Sequence, residues 1–110
     1  MKEQDTIAVG VDDDGHIWRA HFGMAPWYYL FNSHGELIER RANRHAQTDK
    51  HHDDPARIVD LLPECTVFIA HRMGDRSRRR LAESLGIHPV LTVETNPHQA
   101  VKAYLKEQGA

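Results

Sequence analysis

The sequence predicts an α/β protein with the element order β-β-β-α-β-α-β-α. In the first half of the chain, short apolar or alternating runs typical of strands are separated by glycine-bearing turns. From residue 54 onward, segments with helical apolar spacing alternate with two further apolar runs. A chain of 110 residues can bury one hydrophobic core, so we expect a single domain over residues 1–110.

The first half of the chain is predicted to form three strands. The apolar run 6–11 predicts a buried strand, and residues 12–15 predict the turn that follows it. The next two strands, 27–31 and 36–41, flank residues 32–35, where a glycine can adopt the positive φ of a tight hairpin. A polar, histidine-bearing loop is expected to follow.

The second half of the chain is predicted to alternate helices with strands. Asp54-Pro55, Asp75 and Asn96-Pro97 indicate the starts of three helices. Residues 66–70 and 88–93 each predict a strand, and the first of these runs is continuously apolar, as in strands covered on both faces. The helical residues predicted to face the core are Ile58, Leu61, Leu62, Leu81, Ala82, Leu85, Ala100, Val101, Tyr104 and Leu105.

Composition excludes several classes of protein. The lone Cys65 excludes an internal disulfide and an iron-sulfur cluster held by several cysteines of one chain. The formal charge of −2 indicates no nucleic-acid partner. No apolar run approaches the roughly 18 residues that cross a membrane, and the start of the chain leads directly into a strand. We therefore expect a cytoplasmic protein without a membrane span or signal peptide.

Two loops carry the residues best suited to bind a ligand. His21 and Gly23 follow the first predicted strand, and His71, Met73 and Gly74 follow the fourth. Imidazole is the commonest protein ligand for borderline metals, and a thioether is a soft ligand. Each loop places such a side chain close to a glycine, so we expect the two loops to form one site.

Several motifs of this chain are shared with one known family. They are residues 9–12, His21-Phe22-Gly23 with Ala25-Pro26, residues 67–69 before Met73-Gly74, and the tail from 86 to 105. With these motifs the chain resembles the dinitrogenase iron-molybdenum cofactor biosynthesis family of NifX-like domains. His71-Arg72 stands where members of that family usually carry paired glycines. The resemblance implies a ribonuclease H-like fold, with a five-stranded mixed sheet in the order 3-2-1-4-5 and three helices on both faces.

The implied topology sorts the histidines into two groups. The first, third, fourth and fifth strands would run in one direction, so the loops after them share the carboxyl edge, where open α/β sheets bind ligands. The histidines predicted at this edge are His21, His45, His51, His52, His71 and His98. The residues predicted at the opposite edge are His34, Cys65 and His88. Because the first and fourth strands are the inner pair, we expect His21 and His71 to converge.

The resemblance implies a non-enzymatic carrier of an iron-sulfur or iron-molybdenum cofactor precursor. Metallocluster donor and acceptor proteins would be its partners, and the chain would be a monomer or homodimer that binds neither nucleic acid nor membrane. Otherwise the ligand would be a transition metal such as Zn, Fe or Cu. The predicted metal ligands are His21, His71, His45, His51 and His52. The predicted cofactor-binding residues are His21, Gly23, His71, Arg72, Met73 and Gly74.

Two alternative functions remain open at this point. The helix start at Gly74-Asp75, together with Arg72, Arg76 and Arg79, could bind phosphate or a nucleotide in a regulatory module. The acidic run 12–14 could bind Mg²⁺ or Mn²⁺ in a ribonuclease H-like hydrolase, but no carboxylate directly follows the fourth strand and a turn is the simpler interpretation. For His21 taken alone, a loop histidine bonded to backbone is at least as good an interpretation as a ligand, and the resemblance favours the ligand. Methionines such as Met73 more often fill a core.

Overall fold

The computed structural model describes residues 5–44 and 55–109. In these residues the elements follow the predicted order. The strands are β1 (Ile7–Val11), β2 (Trp27–Phe31), β3 (Leu37–Ala42), β4 (Val67–Ala70) and β5 (His88–Leu91). The α-helices are α1 (Pro55–Leu61), α2 (Asp75–Glu83) and α3 (Pro97–Gly109), and a short 3-10 helix spans Phe22–Met24.

The strands form one mixed sheet in the order β3-β2-β1-β4-β5, which confirms the predicted order. β1 pairs antiparallel with β2, and β2 pairs antiparallel with β3. β4 lies parallel to β1 on one side and to β5 on the other. The carboxyl ends of β1, β4 and β5 therefore lie at the same edge of the sheet.

Local turn chemistry positions the hairpin and the last helix as predicted. Gly35 has a φ of 84° in the β2–β3 turn, a conformation that costs glycine no steric strain. The Asn32 side-chain oxygen accepts hydrogen bonds from the backbone N–H groups of His34 at 2.8 Å and Glu36 at 3.0 Å. Asn96 caps α3 in the same way, accepting from His98 N–H at 2.8 Å. Hydrogen bonds to nearby asparagine side chains therefore order both the hairpin turn and the start of α3.

Alternate strand residues build two cores, one on each face of the sheet. α1 and α2 cover the face that carries Ala8 and Phe68, whereas α3 covers the face that carries Val9 and Ile69. All the predicted core residues of the helices are buried or partly buried except Ala82, which is exposed. That prediction was wrong because Leu81 is the buried residue of α2, and Ala82 is rotated about 100° from it around the helix axis.

Arg41 fastens the edge strand β3 to the end of α1. Its guanidinium donates to the Leu61 carbonyl at 2.6 Å and to both carboxylate oxygens of Glu64, at 2.7 and 3.1 Å. It also donates to the Glu39 carboxylate, at 2.7 and 2.9 Å. The Arg41 guanidinium therefore lowers the pKa of both glutamates.

No helix in the described parts of the chain has the length and apolar character required to span a membrane.

Candidate ligand site at the carboxyl edge

The loops after β1 and β4 lie side by side at the carboxyl edge of the sheet. His21 and Arg72 form a parallel bridge beyond the strands, and the Phe22 N–H donates to the Arg72 carbonyl at 3.3 Å. His21 is therefore paired in register with the residue next to His71. We call residues 21–26 the first loop, residues 71–74 the second loop, and the two together the loop pair.

His21 begins the short 3-10 helix of the first loop. Its carbonyl accepts from the Met24 N–H at 2.9 Å, whereas its side chain makes no capping hydrogen bond. The residue is partly exposed. Backbone hydrogen bonding therefore positions His21. Its imidazole does not cap the helix.

His71 extends the second loop towards the segment between β5 and α3. Its Nε2 atom forms a short hydrogen bond with the Glu94 carbonyl. A carbonyl only accepts, so Nε2 carries the proton and Nδ1 keeps its lone pair when the imidazole is neutral. Histidines that bind metals commonly donate the other ring N–H to a backbone carbonyl, which fixes the tautomer and the ring orientation. The contact of Nε2 with the Glu94 carbonyl follows that pattern and leaves Nδ1 as the ring nitrogen with a lone pair.

The buried Asn43 anchors the first loop through hydrogen bonds, and no sequence pattern singles out this residue. This side chain is only 3% exposed. Its Nδ2 donates to the carbonyls of Gly23 at 3.2 Å and Ala25 at 2.8 Å, while its backbone N–H donates to the Pro26 carbonyl at 2.9 Å. Three loop carbonyls are thereby satisfied by one residue that follows β3.

Tyr28 supplies a second polar support. Its buried hydroxyl donates to the Phe22 carbonyl at 2.6 Å and accepts from Asn43 Nδ2 at 3.3 Å. Burial raises the pKa of this phenol, so it remains a neutral donor. No sequence pattern singled out Tyr28, because its hydrogen bond depends on a carbonyl six residues earlier in the chain.

Close packing seats the first loop on the sheet. Phe22 stacks on Phe68 with ring centroids 4.5 Å apart and planes 23° apart. A Cβ atom on Gly10 would lie 2.9 Å from the Ala25 Cβ, closer than side-chain packing tolerates. Gly10 in β1 therefore allows the loop to approach the strand.

The second loop presents a different set of side chains. Arg72 is exposed, whereas Met73 is only 7% exposed and belongs to the core on the α1 and α2 face. Gly74 is the N-cap of α2, and apart from its neighbours along the chain no atom lies within 4 Å of the position that a Cβ would take. The burial of Met73 favours its packing role, and direct ligation by its sulfur stays a prediction.

The start of α2 carries a negative charge of its own. Asp75 lies in the first turn, and its carboxylate accepts from Arg78 at 2.6 Å. A carboxylate at this position already complements the helix dipole and would repel a bound phosphate. Arg76 and Arg79 are exposed on the same helix. This arrangement disfavours the phosphate-binding alternative.

The acidic run after β1 forms the predicted turn. Asp12 Oδ1 accepts from the backbone N–H groups of Asp14 at 2.9 Å and His16 at 3.0 Å. Asp13 Oδ1 accepts from the Trp27 indole N–H at 3.0 Å. Ligand atoms of Asp12, Asp14 and His16 lie within 4.8 Å of one another, so His16 joins the predicted acidic run. The turn itself explains this grouping.

The prediction that His98 joins the carboxyl-edge histidines was wrong. Its ring packs edge-on against Phe31, with centroids 5.1 Å apart, and it lines the same cavity as His34. The segment after β5 crosses over the sheet, where the Thr95 carbonyl accepts from the Ile17 N–H at 2.8 Å. α3 therefore begins beside β2 and not above the end of β5.

The remaining predicted residues are divided between described and undescribed parts of the chain. His45, His51 and His52 lie outside the described residues, as does the predicted cap Asp54. Cys65 is buried in the core on the α1 and α2 face, next to the start of β4. Burial raises the pKa of this thiol to about 12, so the thiolate that binds metals is strongly disfavoured.

The fold and the loop pair define an α/β protein with histidines on adjacent loops at the carboxyl edge of a mixed sheet. The model of the dinitrogenase iron-molybdenum cofactor family matches residues 5–107, and the chain belongs to this family. No curated protein is significantly similar to it in sequence.

Solved structures share the fold at low sequence identity. The apo form of the orange protein from Desulfovibrio gigas is 21% identical, with a TM-score of 0.77, over 98% of this chain and 91% of that chain. A putative NifB protein from Thermotoga is 18% identical, with a TM-score of 0.68, over 96% of this chain and 89% of that chain. The similarity therefore extends over nearly the whole sheet and its helices.

Proposed function

We propose that this protein is a non-enzymatic carrier that holds a metal or a metal-sulfur species as cargo at the loop pair. Membership of the iron-molybdenum cofactor family supports a role in metallocluster handling. His21 and His71 are the proposed ligands. The proposed cofactor contacts also include Gly23, Arg72, Met73 and Gly74, while His45, His51 and His52 are proposed to assist.

The observation that carries this proposal is the backbone bridge between the two loops. The His21–Arg72 pairing places the two histidine-bearing segments in parallel register at the edge where open α/β sheets bind ligands. The Glu94 carbonyl orients His71 so that Nδ1 is the available ring nitrogen. Two imidazoles on adjacent backbone segments are a suitable start for a metal site.

The chemistry of the donors limits the cargo. With one cysteine, and that one buried, the chain cannot enclose an iron-sulfur cluster through several thiolates. The cargo is therefore a preassembled species such as an iron-sulfur or iron-molybdenum cofactor precursor, or a single Zn, Fe or Cu ion. Exposed Arg72 would favour an anionic cluster.

We also propose a fold class, partners and an oligomeric state for this carrier. We assign the sheet order and the helices on both faces to the ribonuclease H-like class, with one domain over residues 1–110. The proposed partners are metallocluster donor and acceptor proteins of the cytoplasm. The proposed oligomeric state is a monomer or homodimer. Hydrolysis is not part of the proposal, because the acidic run after β1 is engaged in a turn.

The proposal is tested by anaerobic loading followed by gel filtration and metal analysis. The protein is incubated with iron and sulfide, with molybdate, and separately with Zn²⁺ or Cu⁺. We expect a stoichiometric complex with at least one of these, lost in the double variant His21→Ala/His71→Ala. The control double variant His16→Ala/His88→Ala removes two histidines outside the loop pair and should load normally. No stoichiometric complex, or equal loading of both double variants, would contradict the proposal.

A further inference from the structure

A cavity of about 680 Å³ lies between the β2–β3 hairpin and α3, away from the loop pair. Its walls include His34 and Gly35 from the hairpin, with His98, Lys102, Leu105 and Lys106 from α3. We call it the hairpin groove. Its volume is within the range of roughly 300 to 1,000 Å³ that is usual for pockets binding small molecules.

The hairpin groove concentrates basic groups in a chain whose formal charge is −2. Two lysines and two histidines line it, and no carboxylate is among its lining residues in the described parts of the chain. The neighbouring acid, Glu36, is occupied by the hairpin, since its Oε1 accepts from Asn32 Nδ2 at 2.9 Å. The groove therefore favours an anion over a neutral ligand.

The basic groups on α3 are evenly spaced. His98, Lys102 and Lys106 follow one another at intervals of four residues, so they form one stripe along the helix. At about 1.5 Å of rise per residue, this stripe spans roughly 12 Å. A ligand with two or more anionic groups could contact more than one member of the stripe.

The opposite wall is fixed by local structure. Asn32 Oδ1 accepts from His34 N–H at 2.8 Å, which orders the turn. A Cβ on Gly35 would lie 3.4 Å from Leu105 Cδ1, so the hairpin approaches α3 closely at this point. His98 is held edge-on against Phe31. The backbone of the groove therefore belongs to an ordered turn on one side and to α3 on the other.

We infer that the hairpin groove binds a small polyanion carrying phosphate or carboxylate groups. This site is separate from the loop pair and does not depend on the carrier proposal. Lys102 and Lys106 supply point charges, while the two imidazoles and Leu105 shape the walls.

Calorimetric titration of the metal-free protein tests this inference. Pyrophosphate, adenosine diphosphate and citrate are titrated separately, so that phosphate and carboxylate sources are distinguished. We expect saturable binding of at least one, weakened by added salt. The variant Lys102→Gln/Lys106→Gln should bind roughly tenfold more weakly or worse, because charge-assisted hydrogen bonds are lost.

Matched variants separate this site from the others. The control variant Arg19→Gln/Arg80→Gln removes the same charge at two exposed residues that do not line the groove, and it should bind the anion normally. Equal weakening in the control variant would overturn the inference, because the effect would then reflect overall charge. Absence of saturable binding by all three anions would also overturn it, as would binding of polyglutamate alone, which would indicate a protein partner.

Discussion

The two loops of the proposed cargo site are held in different ways. The first loop rests on buried polar side chains, with Asn43 and Tyr28 satisfying its carbonyls and Phe22 stacked on Phe68. The second loop is tied by the backbone bond from the first loop and by the contact of His71 with the Glu94 carbonyl. Its other anchor is the buried Met73.

This difference makes the two histidines unequal. The imidazole of His21 caps nothing, so its removal should leave the fold intact. His71 contributes a hydrogen bond to the segment before α3 as well as a ring nitrogen to the proposed site. Replacing His21 should therefore weaken ligand binding without lowering stability, whereas replacing His71 should lower both.

The largest effect is expected from removing the support of the first loop. Asn43→Ala leaves carbonyls of Gly23 and Ala25 without their donor, and should lower the free energy of unfolding by about 1 to 3 kcal/mol. Urea unfolding measures this loss. Asn43→Asp keeps the shape but cannot donate from the same atom, so it should be at least as destabilising. A stable Asn43→Asp variant would show that the donor role is wrong.

A smaller loss of stability is expected at the second loop. His71→Ala should cost about 0.5 to 1.5 kcal/mol through the lost hydrogen bond, and should also weaken metal affinity on the order of tenfold or more. Denaturant unfolding and metal titration of the same preparation give both quantities. The control Glu94→Ala keeps the backbone carbonyl and should change neither. Full metal affinity in His71→Ala would remove His71 from the ligand set.

As the pH is lowered, metal affinity should fall before the stability contributed by Glu39 and Glu64 is lost. Protons compete with metal for imidazole nitrogen, so metal affinity should fall from about pH 8 to about pH 5. Glu39 and Glu64 have pKa values lowered by Arg41, so their contribution to stability persists above their unfolded pKa of 4.5 and is lost only below it. Metal titrations and unfolding curves measured from about pH 8 to below pH 4.5 show which of the two quantities falls first. Affinity that stays flat would point to ligands other than histidine.

Cys65 should give the smallest effect of all. Because burial raises its pKa to about 12 and it lies away from the loop pair, Cys65→Ala should leave metal loading unchanged. The same burial predicts slow alkylation in the native state and rapid alkylation in urea. Loss of loading in a folded Cys65→Ala variant would make the thiol a ligand and contradict the histidine site.

Periodicity and turn chemistry were sufficient to predict the elements, whereas the strand order that brings the two loops together was implied by the family resemblance. The hairpin glycine and the Asn96 cap act within a few residues, so sequence reveals them. Asn43 and Tyr28 act on carbonyls in another segment, and only the assembled fold brings them together. His98 was misplaced because the crossing before α3 depends on long-range packing.

The most direct test of His21 as a metal ligand measures two quantities on His21→Ala. Anaerobic titration with the species that loads the wild-type protein gives affinity, and thermal unfolding of the metal-free protein gives stability. We expect most of the affinity to be lost, while stability changes within about 0.5 kcal/mol, as is usual for partly exposed residues without special roles. Intact affinity combined with a lowered melting temperature would make His21 a structural residue and contradict the carrier assignment.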